Sequence, residues 1–457
     1  MSLITTLTRT WLTRTLKPFT FLNEYDRVLP YGDLDRLGLY IHIPFCRSIC
    51  AFCPYCKVLY DAEKMNRYID ALIREIHLVG ETYAGKKEVT SLYFGGGTPA
   101  LAADRLPEIL DAVRAHFVIT EGIGLELHPD NVTVPVLTKL RDAGVTKISI
   151  GIQSFQPKYQ EVLGRTLSHA AGGVSGPETG SPDTSRRGED CPDRHADASP
   201  APSCRGESPA DRLAAALEAV PFETVSMDFI FALPGQTYED LKADIETAFT
   251  HGANHIAIYP YIDFTFTKST VPVMPKKEKK ALLDRITAWC ASQGYVRNTI
   301  WTFAKEPEAG YSSMTRENFL GFGCSATTLL RDQFKINTFS IDEYCRRIGE
   351  GTLPTCLTTR FVKRQRMVYY LFWTAYSTRV DPKDFEAFFG VPLKKLYGFE
   401  LWLVKALGCA VEKDGVYEMT PKGAFYYHYY EQYYTLAYID KMWGILRKEA
   451  FPERIEL

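Results

Sequence analysis

The sequence predicts an α/β fold: a parallel sheet, open or curled into a full or partial barrel, followed by a small, mainly helical domain. Three observations predict it. Short β-branched or apolar runs alternate with longer amphipathic ones from Leu39 to about His255. Polar and glycine-bearing motifs sit where the short runs end. After Tyr259 the alternation gives way to long amphipathic stretches around one hairpin-like piece. Strand and helix repeated in this way imply right-handed crossovers between parallel strands.

In chain order, the expected strands are Leu39–Ile43, Ser91–Phe94, Gly122–Leu127, Lys147–Ile150, Thr224–Phe229 and His255–Tyr259. Between them lie helical patterns at Ala62–Tyr83, Arg105–Phe117, Pro135–Ala143 and Tyr238–Thr250. In the first of these, Tyr68, Ile69, Leu72, Ile73, Ile76 and Val79 share one stripe. Residues 168–212 break the rhythm: Val174 is their only large apolar side chain. Such a stretch buries too little surface to offset its ordering entropy and reads as a disordered insertion. A helix is expected at Lys277–Gln293, and Asn318–Thr328 reads as a glycine-bearing turn. Further on, CAVEKDGVYEMT holds an Asp414-Gly415 turn signal, and helices flanking a small hairpin suggest a winged-helix unit. Eight tyrosines lie between Tyr417 and Tyr438, a stripe whose safer reading is packing against the barrel. The expected organisation is an N-terminal arm at 1–38, the barrel at 39–340 and a C-terminal helical domain at 358–457.

Of the 457 residues 46% are apolar, and 53 basic side chains face 55 acidic ones. That balance excludes a polycation for nucleic acid, a charged disordered chain and a disulfide-stapled miniprotein. No apolar run reaches the ~18 residues of a membrane span. The first residues carry Arg9, Arg14 and Lys17 with no acid before Glu24, but no secretory pattern. They read as an amphipathic arm, and the expected location is the cytoplasm.

Four of the eleven cysteines, Cys46, Cys50, Cys53 and Cys56, share an eleven-residue window directly after the first strand. Without a secretory signal, clustered cysteines point to metal. Three thiolates on one short loop suffice for three irons of a [4Fe–4S] cube, leaving the fourth iron open to a substrate. On the residues alone Cys56 leaves two alternatives open, a four-cysteine zinc site and a fully ligated electron-transfer cluster. The crowding of all four on one loop favours the open three-cysteine cluster.

The run Tyr40-Ile-His-Ile-Pro-Phe-Cys46-(x3)-Cys50-x-Phe-Cys53 resembles the radical S-adenosylmethionine (SAM) superfamily. Within it the likeness is to the oxygen-independent coproporphyrinogen III oxidase group, which also contains heme chaperones and class C methyltransferases. The resemblance implies an incomplete parallel (β/α) TIM-like barrel, a [4Fe–4S] cluster on Cys46, Cys50 and Cys53, and one SAM or two. It implies a radical made by one-electron cleavage of SAM, a small substrate such as a tetrapyrrole, and a low-potential donor such as flavodoxin or ferredoxin.

Further motifs follow on successive strand ends. Gly95-Gly96-Gly97-Thr98-Pro99 permits close backbone approach, and the resemblance puts the methionine amino group at Gly96, Gly97 and Thr98. It assigns Glu126 to the ribose hydroxyls, Gln153 to ribose or adenine, Arg165 to cofactor carboxylates and Asp228 to the ribose. Ile262 and Thr327 are implied as further cofactor contacts, and Tyr40 lies beside the first SAM. Tyr40 and Glu126 are the implied catalytic residues. The later motif keeps Gly310-Tyr311 and Gly321-Phe-Gly323-Cys324-Ser325-Ala326, but has Glu308-Ala309 and Thr327 where coproporphyrinogen oxidases have Phe-Gln and isoleucine. This departure weakens propionate decarboxylation and favours a relative that still uses two SAM molecules.

Overall fold

The computed structural model describes residues 3–165, 208–267, 272–306 and 317–457. The expected strands form at Gly38–Ile43, Leu92–Gly96, Ile123–Leu127, Lys147–Gln153, Thr224–Phe231 and His255–Pro260. They lie side by side in that order, all parallel. The helices that return the chain are Ala62–Gly80, Leu106–His116, Val134–Ala143, Pro209–Ala219 and Tyr238–Thr250. Ile41, Ile43, Leu125, Ile148, Ile150, Met227, Phe229 and Ile258 are buried in the core beneath those helices. A parallel sheet covered in this way reads as near-continuous hydrophobic runs.

Local signals start and stop the elements. Asp61 caps the Ala62–Gly80 helix by accepting from the Lys64 N–H at 2.8 Å. Tyr68, Ile69, Leu72, Ile76 and Val79 are its buried stripe, as the periodicity predicts, while Ile73 packs at the edge of the core. Thr237 and Asp240 form a capping box at the start of Tyr238–Thr250. In the C-terminal hairpin, strands Ala410–Lys413 and Val416–Met419 are joined by Asp414 and Gly415, with φ of 51° and 83°. That is the left-handed pair a two-residue turn requires.

Two expectations are corrected. The composition carries the insertion to Arg212, but Pro209–Ala219 is helical, with Ser208 and Asp211 in a capping box; the rest of the insertion to 207 lies outside the described residues. The second is Asn318–Thr328, which holds two strands, Phe319–Phe322 and Thr327–Leu330, and not only a turn. The first pairs parallel with Gly38–Ile43, placing Gly321 opposite Tyr40. A Cβ on Gly321 would come within 2.1 Å of the Thr327 carbonyl oxygen, so the glycine that reads as a turn permits a close strand pairing.

Beyond that pair the sheet continues antiparallel through Gln333–Asn337 and Thr355–Arg360. It then takes in Thr20–Leu22 of the arm and Arg454–Glu456 near the end of the chain. The helices Lys363–Tyr376, Pro382–Phe389, Leu393–Ala406 and Pro421–Tyr434 form the C-terminal region together with a three-stranded sheet. No described helix is long and apolar enough to cross a membrane.

Candidate active site

The parallel strands end around one cavity of about 1030 Å³. Every residue singled out above as a ligand or contact lines it: Tyr40, Cys46, Cys50, Cys53, Gly96, Gly97, Thr98, Glu126, Gln153, Arg165, Asp228, Ile262 and Thr327. Gly310 and Tyr311, from the later motif, lie outside the described residues.

The cysteine loop is clamped at its base. Phe45 and Cys46 pair in parallel with Val58 and Leu59, the Tyr60 N–H donates to the Cys46 carbonyl at 2.8 Å, and Lys57 Nζ donates to the Cys53 carbonyl. This small ladder closes the loop from which Cys46, Cys50 and Cys53 line the cavity. Burial pushes the Cys46 thiol up to about 11, with the Cys53 and Cys50 sulfurs adding to the effect; Cys50 is raised chiefly by burial as well. Thiols raised in this way, as at Cys46 and Cys50, need a cation to hold them as thiolates.

The glycine run packs directly against this loop. The Gly97 N–H donates to Ile43 O at 2.9 Å and the Thr98 N–H to Phe45 O at 2.8 Å. A Cβ on Gly97 would lie 2.9 Å from the Cys46 sulfur and 2.7 Å from the Phe45 carbonyl oxygen. Only glycine allows this approach.

The two carboxylates are each held on one side and open on the other. Glu126 accepts from the Tyr93 hydroxyl at 2.7 Å and the Gly96 N–H at 3.1 Å. Asp228 accepts from the Ser149 hydroxyl at 2.7 Å and the Ser226 hydroxyl at 3.2 Å. Removal from bulk water raises both carboxyls, Asp228 to about 7, and Glu126 contributes to the Asp228 shift. The register between Lys147–Gln153 and Thr224–Phe231 shifts by one residue after Asp228, and Gln153 there adopts φ of 70°. Burial lowers the Arg165 guanidinium, and its Nε has no hydrogen-bond partner among the described residues. A half-buried guanidinium whose enclosed Nε is unsatisfied, beside a cavity, suits an anionic ligand group.

Several participants escaped the sequence reading. Tyr93, Ser149 and Ser226 orient the carboxylates, and His42 takes the Tyr40 hydroxyl on Nδ1 at 2.9 Å. Strand alternation could have found His42, two residues from Tyr40 on the same face. The same alternation could have found Ser226, two residues before Asp228 on one strand, whereas Ser149 becomes its partner only through strand adjacency.

The C-terminal helices and the arm also line the cavity. Tyr427, Tyr430, Tyr434 and Tyr438 line it, together with Phe372, Trp373 and Phe19. Phe372 and Tyr427 stack with centroids 5.1 Å apart and planes at 28°. The tyrosine stripe therefore packs its helix and also faces the cavity.

Residues 40–171 match the Radical SAM superfamily. The chain carries a radical SAM domain. Among curated proteins it is 24% identical to the heme chaperone HemW of Bacillus subtilis over 374 residues, covering 78% of this chain and 88% of that protein. It is 22% identical to the oxygen-independent coproporphyrinogen III oxidase of Pseudomonas aeruginosa over 420 residues, covering 83% and 81%. Among solved structures, the coproporphyrinogen III oxidase HemN of Escherichia coli superposes with a TM-score of 0.67 at 20% identity, covering 89% of this chain and 93% of that one. The radical SAM chain thus has the α/β fold of HemN, with a central parallel sheet and a helical C-terminal region.

A radical SAM domain implies a [4Fe–4S] cluster and SAM, and the residues fit both. The donor set is three thiols on one clamped loop, and beside it stand a glycine cradle, two hydroxyl-accepting carboxylates and a half-buried guanidinium.

Proposed function

We propose that the chain is a radical SAM enzyme acting on a flat, largely apolar substrate of the tetrapyrrole class. One observation carries the proposal: a single cavity is lined both by three thiols and two carboxylates and by a group of aromatic side chains from the C-terminal helices. When bound, the cluster supplies the electron that cleaves SAM to the 5′-deoxyadenosyl radical. Cys46, Cys50 and Cys53 would hold it. Gly96, Gly97 and Thr98 would seat the methionine end, and Arg165 would meet a carboxylate. Glu126 and Asp228 would accept from the ribose hydroxyls, since each keeps acceptor capacity beyond its two protein donors. Gln153, Ile262 and Tyr40 would border the adenosyl group. The aromatic wall would stack on the substrate's face and exclude water. Ser325 and Thr327, which line the same cavity, would meet a second SAM. The reductant would be a low-potential electron donor, and the expected setting is the cytoplasm.

A second reading is favoured by the HemW relatives: a chain that holds heme without turning it over. One experiment separates the readings. Reconstituted, dithionite-reduced protein is incubated with SAM and candidate porphyrinogens, and the products are resolved by chromatography. 5′-Deoxyadenosine formed only with substrate supports the oxidase-type enzyme, and its appearance with S-adenosylhomocysteine indicates methyl transfer. Neither product, with heme bound one to one, overturns catalysis in favour of the chaperone.

A further inference from the structure

Cys56 is not needed by the three-thiol set, and its surroundings suggest a separate use. Its sulfur, the sulfur of Cys324 and a ring nitrogen of His42 all lie within 4.8 Å of one another, and all three residues are buried. They come from three places: the end of the cysteine loop, the turn after Phe319–Phe322, and the first parallel strand. We propose that His42, Cys56 and Cys324 form a second metal site, for a thiophilic divalent cation of the zinc type, distinct from the iron cluster.

The donor set suits it. Two sulfurs and an imidazole are the ligands zinc favours, at about 2.3 Å and about 2.0 Å, and closure on a shared ion asks the three atoms to move inward by about an ångström. The imidazole is already held as ligating histidines usually are. Its Nε2 lies 3.0 Å from the Cys56 carbonyl, which can only accept, so Nε2 carries the proton and Nδ1 the lone pair. The Tyr40 hydroxyl now donates to that lone pair at 2.9 Å, and the Cys56 thiol donates to the Phe339 carbonyl at 3.4 Å. Metal binding replaces both bonds and releases the two thiol protons to solvent. His42 and Cys56 line the main cavity, so the fourth coordination position faces it and takes water. The ion would fasten the end of the cysteine loop to the Gly323–Ser325 turn, fixing the loop from behind while Cys46, Cys50 and Cys53 face the cavity.

The test is elemental analysis of iron and zinc in the same sample. Cluster-loaded protein is incubated with one equivalent of Zn²⁺ and dialysed against a weak chelator. About one zinc per chain beside an undiminished iron content is expected. Cys324→Ser and Cys56→Ser should each lose the zinc, keep the iron and keep the wild-type circular dichroism. The triple variant Cys46→Ala/Cys50→Ala/Cys53→Ala should lose the iron and keep the zinc, so failure of the cluster assignment and failure of this one are told apart. Zinc X-ray absorption on the wild-type protein should show two sulfur and one or two nitrogen or oxygen neighbours, a readout that needs no variant to fold. Zinc absent from cluster-loaded protein, zinc retained in both serine variants, or zinc bound only where iron is missing would each overturn the proposal.

Discussion

The two halves of the sheet use their polar residues differently. In the parallel half, from Gly38 to Pro260, the strands turn polar side chains onto the cavity, as with His42, Glu126, Ser149, Gln153 and Asp228. The antiparallel half, from Phe319 to Arg360, carries charge inside its packing. Lys335, 1% exposed, pairs with Asp26 at 2.7 Å, and Glu75 reaches across from the first barrel helix. Glu75 accepts from the Gly323 N–H at 2.7 Å, the Tyr344 hydroxyl at 2.6 Å and the Asn337 amide at 3.2 Å. Parallel strands bring loop ends together at one rim, which is where chemistry can be assembled. Here the antiparallel extension instead ties the arm, the first helix and the chain end to the barrel, and its buried polar groups do the joining.

The sharpest test of this contrast is at the rim. Ala at Cys46, Cys50 or Cys53 should abolish the iron cluster and SAM cleavage, while Cys56→Ala keeps its iron; iron loss in the Cys56 variant would sink the three-ligand assignment.

Next in size is the joint. Glu75→Ala strands three buried donors and should cost about 3 kcal/mol in urea unfolding while leaving SAM affinity near wild type. Burial raises the Glu75 carboxyl from 4.5 to about 7, so the folded chain holds a proton that the unfolded chain has released. Its effect therefore lowers stability as pH rises from about 4.5 to about 7, and Glu75→Gln should remove that slope. An unchanged slope in the variant would assign it elsewhere.

At the cavity the expected effects are smaller. Asp228→Asn should weaken SAM binding about tenfold, the loss of one charged acceptor at about 1.4 kcal/mol. With the carboxyl raised to about 7, wild-type affinity should climb as pH rises through that value, and the variant's calorimetric profile should be flat there. The smallest change is expected at the aromatic wall. Tyr434→Leu should weaken a bound porphyrin about three- to tenfold, the ~0.5–1.5 kcal/mol of one aromatic contact, without altering SAM affinity. Equal loss of both would move Tyr434 into the SAM site.

The sequence by itself determined the parallel half. A strand face covered by helices must be apolar, and a helix covered on one face must repeat its apolar residues every three or four positions, so Ile41, Ile148, Tyr68 and Leu72 declare their roles locally. It also determined the common loop of Cys46, Cys50 and Cys53, since their spacing is itself local. Tertiary structure alone decided the rest. Phe319–Phe322 is four residues long and interrupted by Gly321, too brief to show a period, and is a strand because Gly38–Ile43 offers it an edge. Thr20–Leu22 and Arg454–Glu456 find each other across nearly the whole chain. Ser149 meets Asp228, and Cys56 meets Cys324, by the same cause: contacts between distant residues depend on strand order, and no local pattern encodes that order.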